Sequence, residues 1–134
     1  MRFLFTSLLA VILFLGCADM SVKKKEASIS LDGKEWKLVS FGKIRMAVPK
    51  KSWISFKDGR YSGYAGCNGM GGEYVVDGNN MTLKAGMSTM MACADMRLET
   101  KFRQSMLSVD SYKIEGDNLI LMHDNHDVLN FMIK

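Results

Sequence analysis

The side chains here that can do covalent or metal chemistry are few and clustered. The 134 residues hold three cysteines, two histidines and twelve methionines. Cys67 lies inside Gly63-Tyr-Ala-Gly66-Cys67-Asn68-Gly-Met-Gly-Gly72, a stretch with five of the twelve glycines. Cys93 ends a second stretch, Ser88-Thr-Met-Met-Ala-Cys93. A cysteine nucleophile needs a base within reach. Only His123 and His126 are available, and nothing around Cys67 matches a cysteine hydrolase. His123-Asp-Asn-His126-Asp127 offers nitrogen and oxygen donors for zinc or copper. A polar hairpin loop between two apolar runs accounts for the same five residues. Met87, Met90 and Met91 are soft ligands that, with His, suit Cu(I). Methionine is equally the adaptable residue of apolar binding surfaces. Glycine-rich loops cradle phosphate, but a P-loop ends in Gly-Lys-Ser/Thr and enters a helix. Here Gly71-Gly72 runs into Glu73 and a strand, so Gly63, Gly66 and Gly72 read as sites of tight turning or close backbone approach. Asn68 suits such a turn, because its amide satisfies local backbone groups.

The chain's own address restricts this chemistry further. Arg2 precedes a thirteen-residue apolar run, Phe3–Leu15. That fits a secretory signal and falls short of the roughly 20 residues of a membrane span. The run ends in Leu15-Gly16-Cys17, which resembles a bacterial lipoprotein signal, with Phe14 where leucine is usual. Residues 1–16 therefore read as a signal peptide and Cys17 as the lipidated first residue. Ala18 follows it, in place of an inner-membrane retention aspartate, which favours the outer membrane facing the periplasm. Residues 17–30, with Lys23-Lys24-Lys25, read as anchor and tether. Cys67 and Cys93 then remain as an even pair in an oxidising setting, and pair first as a disulfide. Closing that loop of about 26 residues stabilises by roughly 3 kcal/mol. The alternative is two buried free thiols. The net charge of +4 becomes +3 once Arg2 is removed, too mild for nucleic acid.

The elements that must position these residues are short strands. Trp36-Lys-Leu38 alternates apolar and polar. Ile44–Val48 reads as a second strand stopped by Pro49. Trp53–Phe56 and Arg60–Tyr64 flank Asp58-Gly59, a hairpin signal. Glu73–Val76, Met81–Lys84, Tyr112–Ile114, Leu119–Met122 and Val128–Ile133 continue the series. One helix, about 95–109, carries Leu98, Phe102, Met106 and Val109 on one face. Asp95 is its expected N-cap, Glu99 suits its positive end, and Glu99 and Arg103 stand as an i,i+4 pair. The class is α+β, mostly β: a curved antiparallel sheet or cracked barrel with one packed helix.

Trp36-x-Leu38, Phe56, Gly63-x-x-Gly66-Cys67-Asn68, Gly72-x-Tyr74, Thr89-x-Met91-Ala92-Cys93, Glu99 and Phe102 occur in that order. The set resembles the META domain family (DUF306, HslJ-like heat-inducible lipoproteins) over about residues 31–134. Gly69-Met70 departs from the family, which commonly places a basic residue and an aromatic there. The resemblance implies a small β structure like the cracked barrel of secretion pilot lipoproteins, ties to heat and envelope stress, and no established catalysis or cofactor. The expectation is a non-catalytic, monomeric, lipid-anchored envelope module. It binds an apolar ligand in a groove beside the helix, or a protein partner. The alternative is copper handling through the methionines and histidines.

Overall fold

The computed structural model describes residues 30–44 and 46–134. The signal peptide, Cys17 and the tether up to residue 29 lie outside the described residues. Eight antiparallel strands close into a barrel in sequence order. They are β1 (Lys34–Ser40), β2 (Trp53–Lys57), β3 (Arg60–Tyr64), β4 (Gly69–Asp77), β5 (Asn80–Leu83), β6 (Ser111–Glu115), β7 (Asn118–His123) and β8 (His126–Ile133). The one helix, α1 (Arg97–Ser108), lies between β5 and β6 in sequence. The expected curved sheet therefore closes fully, because β8 pairs back onto β1 from Trp36↔Ile133 to Ser40↔Asn130. The seam between β5 and β6 is the thinnest, with Asn80↔Ser111 as its paired residues.

Alternation builds the core. Inward positions recur every second residue: Trp36 and Leu38, Ile54 and Phe56, Met81 and Leu83, Leu119 and Leu121, Leu129 and Phe131, all buried. Closing the barrel puts these side chains in one interior, which α1 completes with Phe102 and Met106, both 0% exposed. The Phe102 ring meets Phe131 edge-on, centroids 6.4 Å apart. Asp58-Gly59 turns β2 into β3 with both residues at positive φ, 50° and 73°, as this hairpin turn requires. Asp124-Asn125 does the same between β7 and β8, at 49° and 61°.

Two expectations need correction. Ile44–Val48 is not a strand. β1 is already paired on both sides, by β2 and β8, so no ladder is open to it. Met46 and Val48 pack on the core from outside the sheet instead. The helix expected at about 95–109 runs from Arg97 to Ser108, and its N-cap is Met96 rather than Asp95. Asp95 still accepts from the Arg97 backbone N–H at 3.0 Å and pairs with the Arg97 guanidinium at 2.8 Å. That pairing lowers the Asp95 pKa to about 2.

Candidate functional site

The glycine stretch is mostly strand. Gly63 ends in β3 and Gly69–Gly72 opens β4, so the turn itself is only Ala65–Asn68. Its glycines do three different jobs. Gly66 sits at φ 116°, a left-handed backbone that favours glycine. A Cβ on Gly63 would stand 3.3 Å from the Phe102 ring, so its absence lets α1 approach β3. A Cβ on Gly72 would collide with the Lys84 carbonyl oxygen and the Tyr61 ring. Tyr61 in turn donates its hydroxyl to that carbonyl at 3.0 Å, and burial pushes the phenol pKa up.

The close approach brings the segment after β5 alongside β4. Lys84 N–H donates to Glu73 O at 2.9 Å, Gly71 N–H to Met87 O at 2.9 Å, and Thr89 N–H to Gly69 O at 3.0 Å. Beyond Thr89 the β4 backbone is exhausted and the Asn68 side chain takes over. Its Oδ1 accepts from Met91 N–H at 2.7 Å and from the Thr89 hydroxyl at 2.8 Å. Its Nδ2 donates to Met91 O at 3.2 Å and to Glu99 Oε1 at 3.0 Å. Two acceptor and two donor positions are thus all in use, the full capacity of a carboxamide. Asn68 acts as one more strand residue for Met91. Its own backbone N–H donates to Glu99 Oε2 at 2.8 Å.

Glu99 is the residue whose role the sequence reading missed. It is 4% exposed, and both carboxylate oxygens accept from Asn68. The expected Glu99–Arg103 pair does not form, because Glu99 points inward with Phe102 and Met106 while Arg103 is exposed. The signal was present: Glu99, Phe102 and Met106 follow at steps of three and four, so the acid sits in the apolar stripe. A disulfide between Cys67 and Cys93, Cα atoms 6.4 Å apart, adds a covalent tie next to this network, within the usual span for such bonds. Cys67 so bonded carries no thiolate.

The fixed frame displays apolar side chains. Met87 is 83% exposed, Met90 95% and Met91 58%. Leu107 on α1, 44% exposed, shares a cleft with Met87. That cleft, between α1 and the segment after β5 whose Met87–Met91 part forms a strap along β4, holds about 130 Å³. It is one of the clefts that border the helix, and it is well below the 300–1,000 Å³ of ordinary small-molecule sites. The barrel interior is filled by the protein's own aromatic side chains, Trp36, Phe41, Phe56, Phe102 and Phe131.

The histidine cluster differs from expectation. His123 faces Asp110 at 3.1 Å and Asp124 at 3.5 Å, and these three can converge on an ion. His126 pairs with His123 across the hairpin but is outside that group. Asp110 has a structural role there: it accepts from Asp124 N–H at 2.8 Å and from the Ser111 hydroxyl at 2.7 Å. Those bonds and the neighbouring His123 hold its carboxyl below the usual range. The sulfur donors expected for copper sit on the strap, a different element.

Comparison places these features in a wider set. A family model described as META domain matches residues 29–134. None of the curated proteins is a match in sequence. A protein from Burkholderia xenovorans, solved by NMR, is similar with a TM-score of 0.64 and 21% identity, over 78% of this chain and 83% of its own. A DUF4847 family protein from Bacteroides vulgatus, solved by crystallography, gives a TM-score of 0.58 and 16% identity, over 77% of this chain and 92% of its own. At such identities the likeness is one of fold alone.

Proposed function

We propose, from the premise that this chain belongs to the META domain family, that it is a binding module of the cell envelope which engages a protein partner through the Met87–Met91 strap. Family membership supports the coarser part, a non-catalytic and envelope-related role. The finer part rests on one observation: three methionines, 58–95% exposed, stand on a backbone fixed by β4, Asn68 and a disulfide. Exposed apolar side chains on a rigid frame bind without a large ordering cost. Methionine adapts to varied partner surfaces. A protein surface suits the strap better than a lipid tail does, since the cleft of about 130 Å³ is too small to take one up. At the strap, the partner chain is therefore preferred to an apolar ligand.

In this reading Cys17 carries a lipid anchor in the outer membrane, residues 18–30 tether the barrel on the periplasmic side, and the protein serves envelope maintenance under stress. Cross-linking tests the binding step. A photo-reactive residue at position 90 of the native protein, in cells, should give one discrete cross-linked product. Keeping that residue at position 90 and replacing Met87 and Met91 with Gln, which keeps length and removes apolar character, should abolish it. An undiminished product in this variant would count against the proposal.

A further inference from the structure

A second surface, away from the strap, has the makings of a ligand site. Paired residues of neighbouring strands lie on the same face of the sheet. One such row crosses four strands on the outside of the barrel: Met132, Lys37, Trp53 and Tyr64, each in register with the next. The turn before β2, closed by Ser52 N–H to Pro49 O at 3.1 Å, brings Lys50 and Lys51 to the same place. Lys37, Lys50, Lys51, Trp53, Tyr64 and Lys134 line a cleft of about 710 Å³. That lies inside the range of small-molecule sites.

The charges are unequal in their engagement. Glu35, the carboxylate of the cleft, is taken by Lys134 at 2.7 Å. Among the described residues, Lys37, Lys50 and Lys51 have no carboxylate within ion-pair distance. Three like charges around one concavity repel one another, and an anion relieves that repulsion. A merely solvated outer face would be polar throughout. Here two half-buried aromatic rings form its centre instead, and aromatic faces stack on the flat or apolar faces of rings.

We propose that this cleft binds a small anion that carries a ring, with phosphate or carboxylate held by Lys37, Lys50 and Lys51 and the ring laid against Trp53 and Tyr64. The ring belongs to a sugar or to a nucleobase, and the test separates the two. The site is independent of the strap and stands or falls apart from it. The full chain is titrated with glucose 6-phosphate and with uridine monophosphate, reading tryptophan fluorescence and, for optically silent binding, calorimetric heat. Trp36, 0% exposed, supplies a constant background, so the change in emission comes from Trp53. At least one compound is expected to saturate with Kd below about 1 mM. The exposed pair Lys50→Gln and Lys51→Gln should weaken it tenfold or more. Trp53→Phe should remove the optical change, with circular dichroism verifying that both variants are folded. A response to the sugar phosphate alone identifies the ring as sugar, and to the nucleotide alone as base. Inorganic phosphate binding as tightly as either compound would overturn the proposal. So would binding only to phosphatidylglycerol vesicles, or no heat and no optical change.

Discussion

Asn68→Ala removes the side chain that joins the strap, the disulfide turn and the helix. Four hydrogen bonds go with it: to Met91 O, from Met91 N–H, from the Thr89 hydroxyl and to Glu99 Oε1. A neutral bond contributes about 1 kcal/mol and one to a charged group about 1.5–3. Met91 and Thr89 are exposed enough to regain water. Glu99 is buried and keeps only the Asn68 backbone N–H. The expected loss is therefore about 3–4 kcal/mol, less than the sum of the four. For a domain of this size that lowers Tm by roughly 15–25 °C. Urea denaturation of the oxidised protein reads it as a lower midpoint at unchanged slope. Hydrogen exchange supplies the local reading, since the Met91 amide should be protected in the native protein and exchange freely in the variant. Asn68→Asp should be worse at pH 7 than at pH 4, because it sets a second carboxylate about 3 Å from Glu99 in place of Nδ2. A loss below about 1 kcal/mol, with the Met91 amide equally slow in both proteins, would refute the network argument.

Three further outcomes follow from the same geometry. Gly72→Ala should cost about 2–3 kcal/mol or more, because its Cβ meets the Lys84 carbonyl and Tyr61, whereas Gly69→Ala, with open space around it, should stay within about 0.5 kcal/mol; thermal melts of the two compare them directly. Cys67→Ser with Cys93→Ser should cost about 3–4 kcal/mol for a 26-residue separation, and an unreduced peptide map should recover the two cysteines as one linked species. Asp110 has a folded pKa below its usual 3.8, so its contribution is present above that value and lost as pH falls through the folded one; Asp110→Asn should flatten the stability curve below about pH 4, measured by melts across pH.

What the sequence disclosed depended on how local the cause was. Asp58-Gly59 was legible because the turn's demand for positive φ falls on those two residues alone. The alternation Trp36-Lys37-Leu38 was legible for the same reason. Ile44–Val48 carries a strand-like pattern, and its fate was decided elsewhere, by β8 taking the edge of β1 it needed. Closure of the sheet into a barrel was likewise invisible to a reading of separate strands. Glycine composition pointed to a turn over Gly63–Gly72, yet most of it is strand. The missing side chains serve the neighbouring segments, the Phe102 ring at Gly63 and the Lys84 carbonyl at Gly72. The site was half legible. Cys67, Asn68 and Cys93 were marked as a unit, and the exposed methionines were marked as a surface. Glu99 was assigned to the helix dipole and to Arg103, since sequence spacing displays neighbours at four residues and not Asn68 at thirty-one.

The claim at the centre is that the strap is held rigid in order to present Met87, Met90 and Met91 to a partner. Cross-linking from position 90 in cells tests it most directly, compared with the same photo-reactive residue at Thr82, an exposed position on β5. The account predicts a single product from position 90 and none from position 82. It also predicts loss of that product when Asn68→Ala frees Met91 while the protein remains folded. Equal products from both positions, or none from position 90, would contradict it.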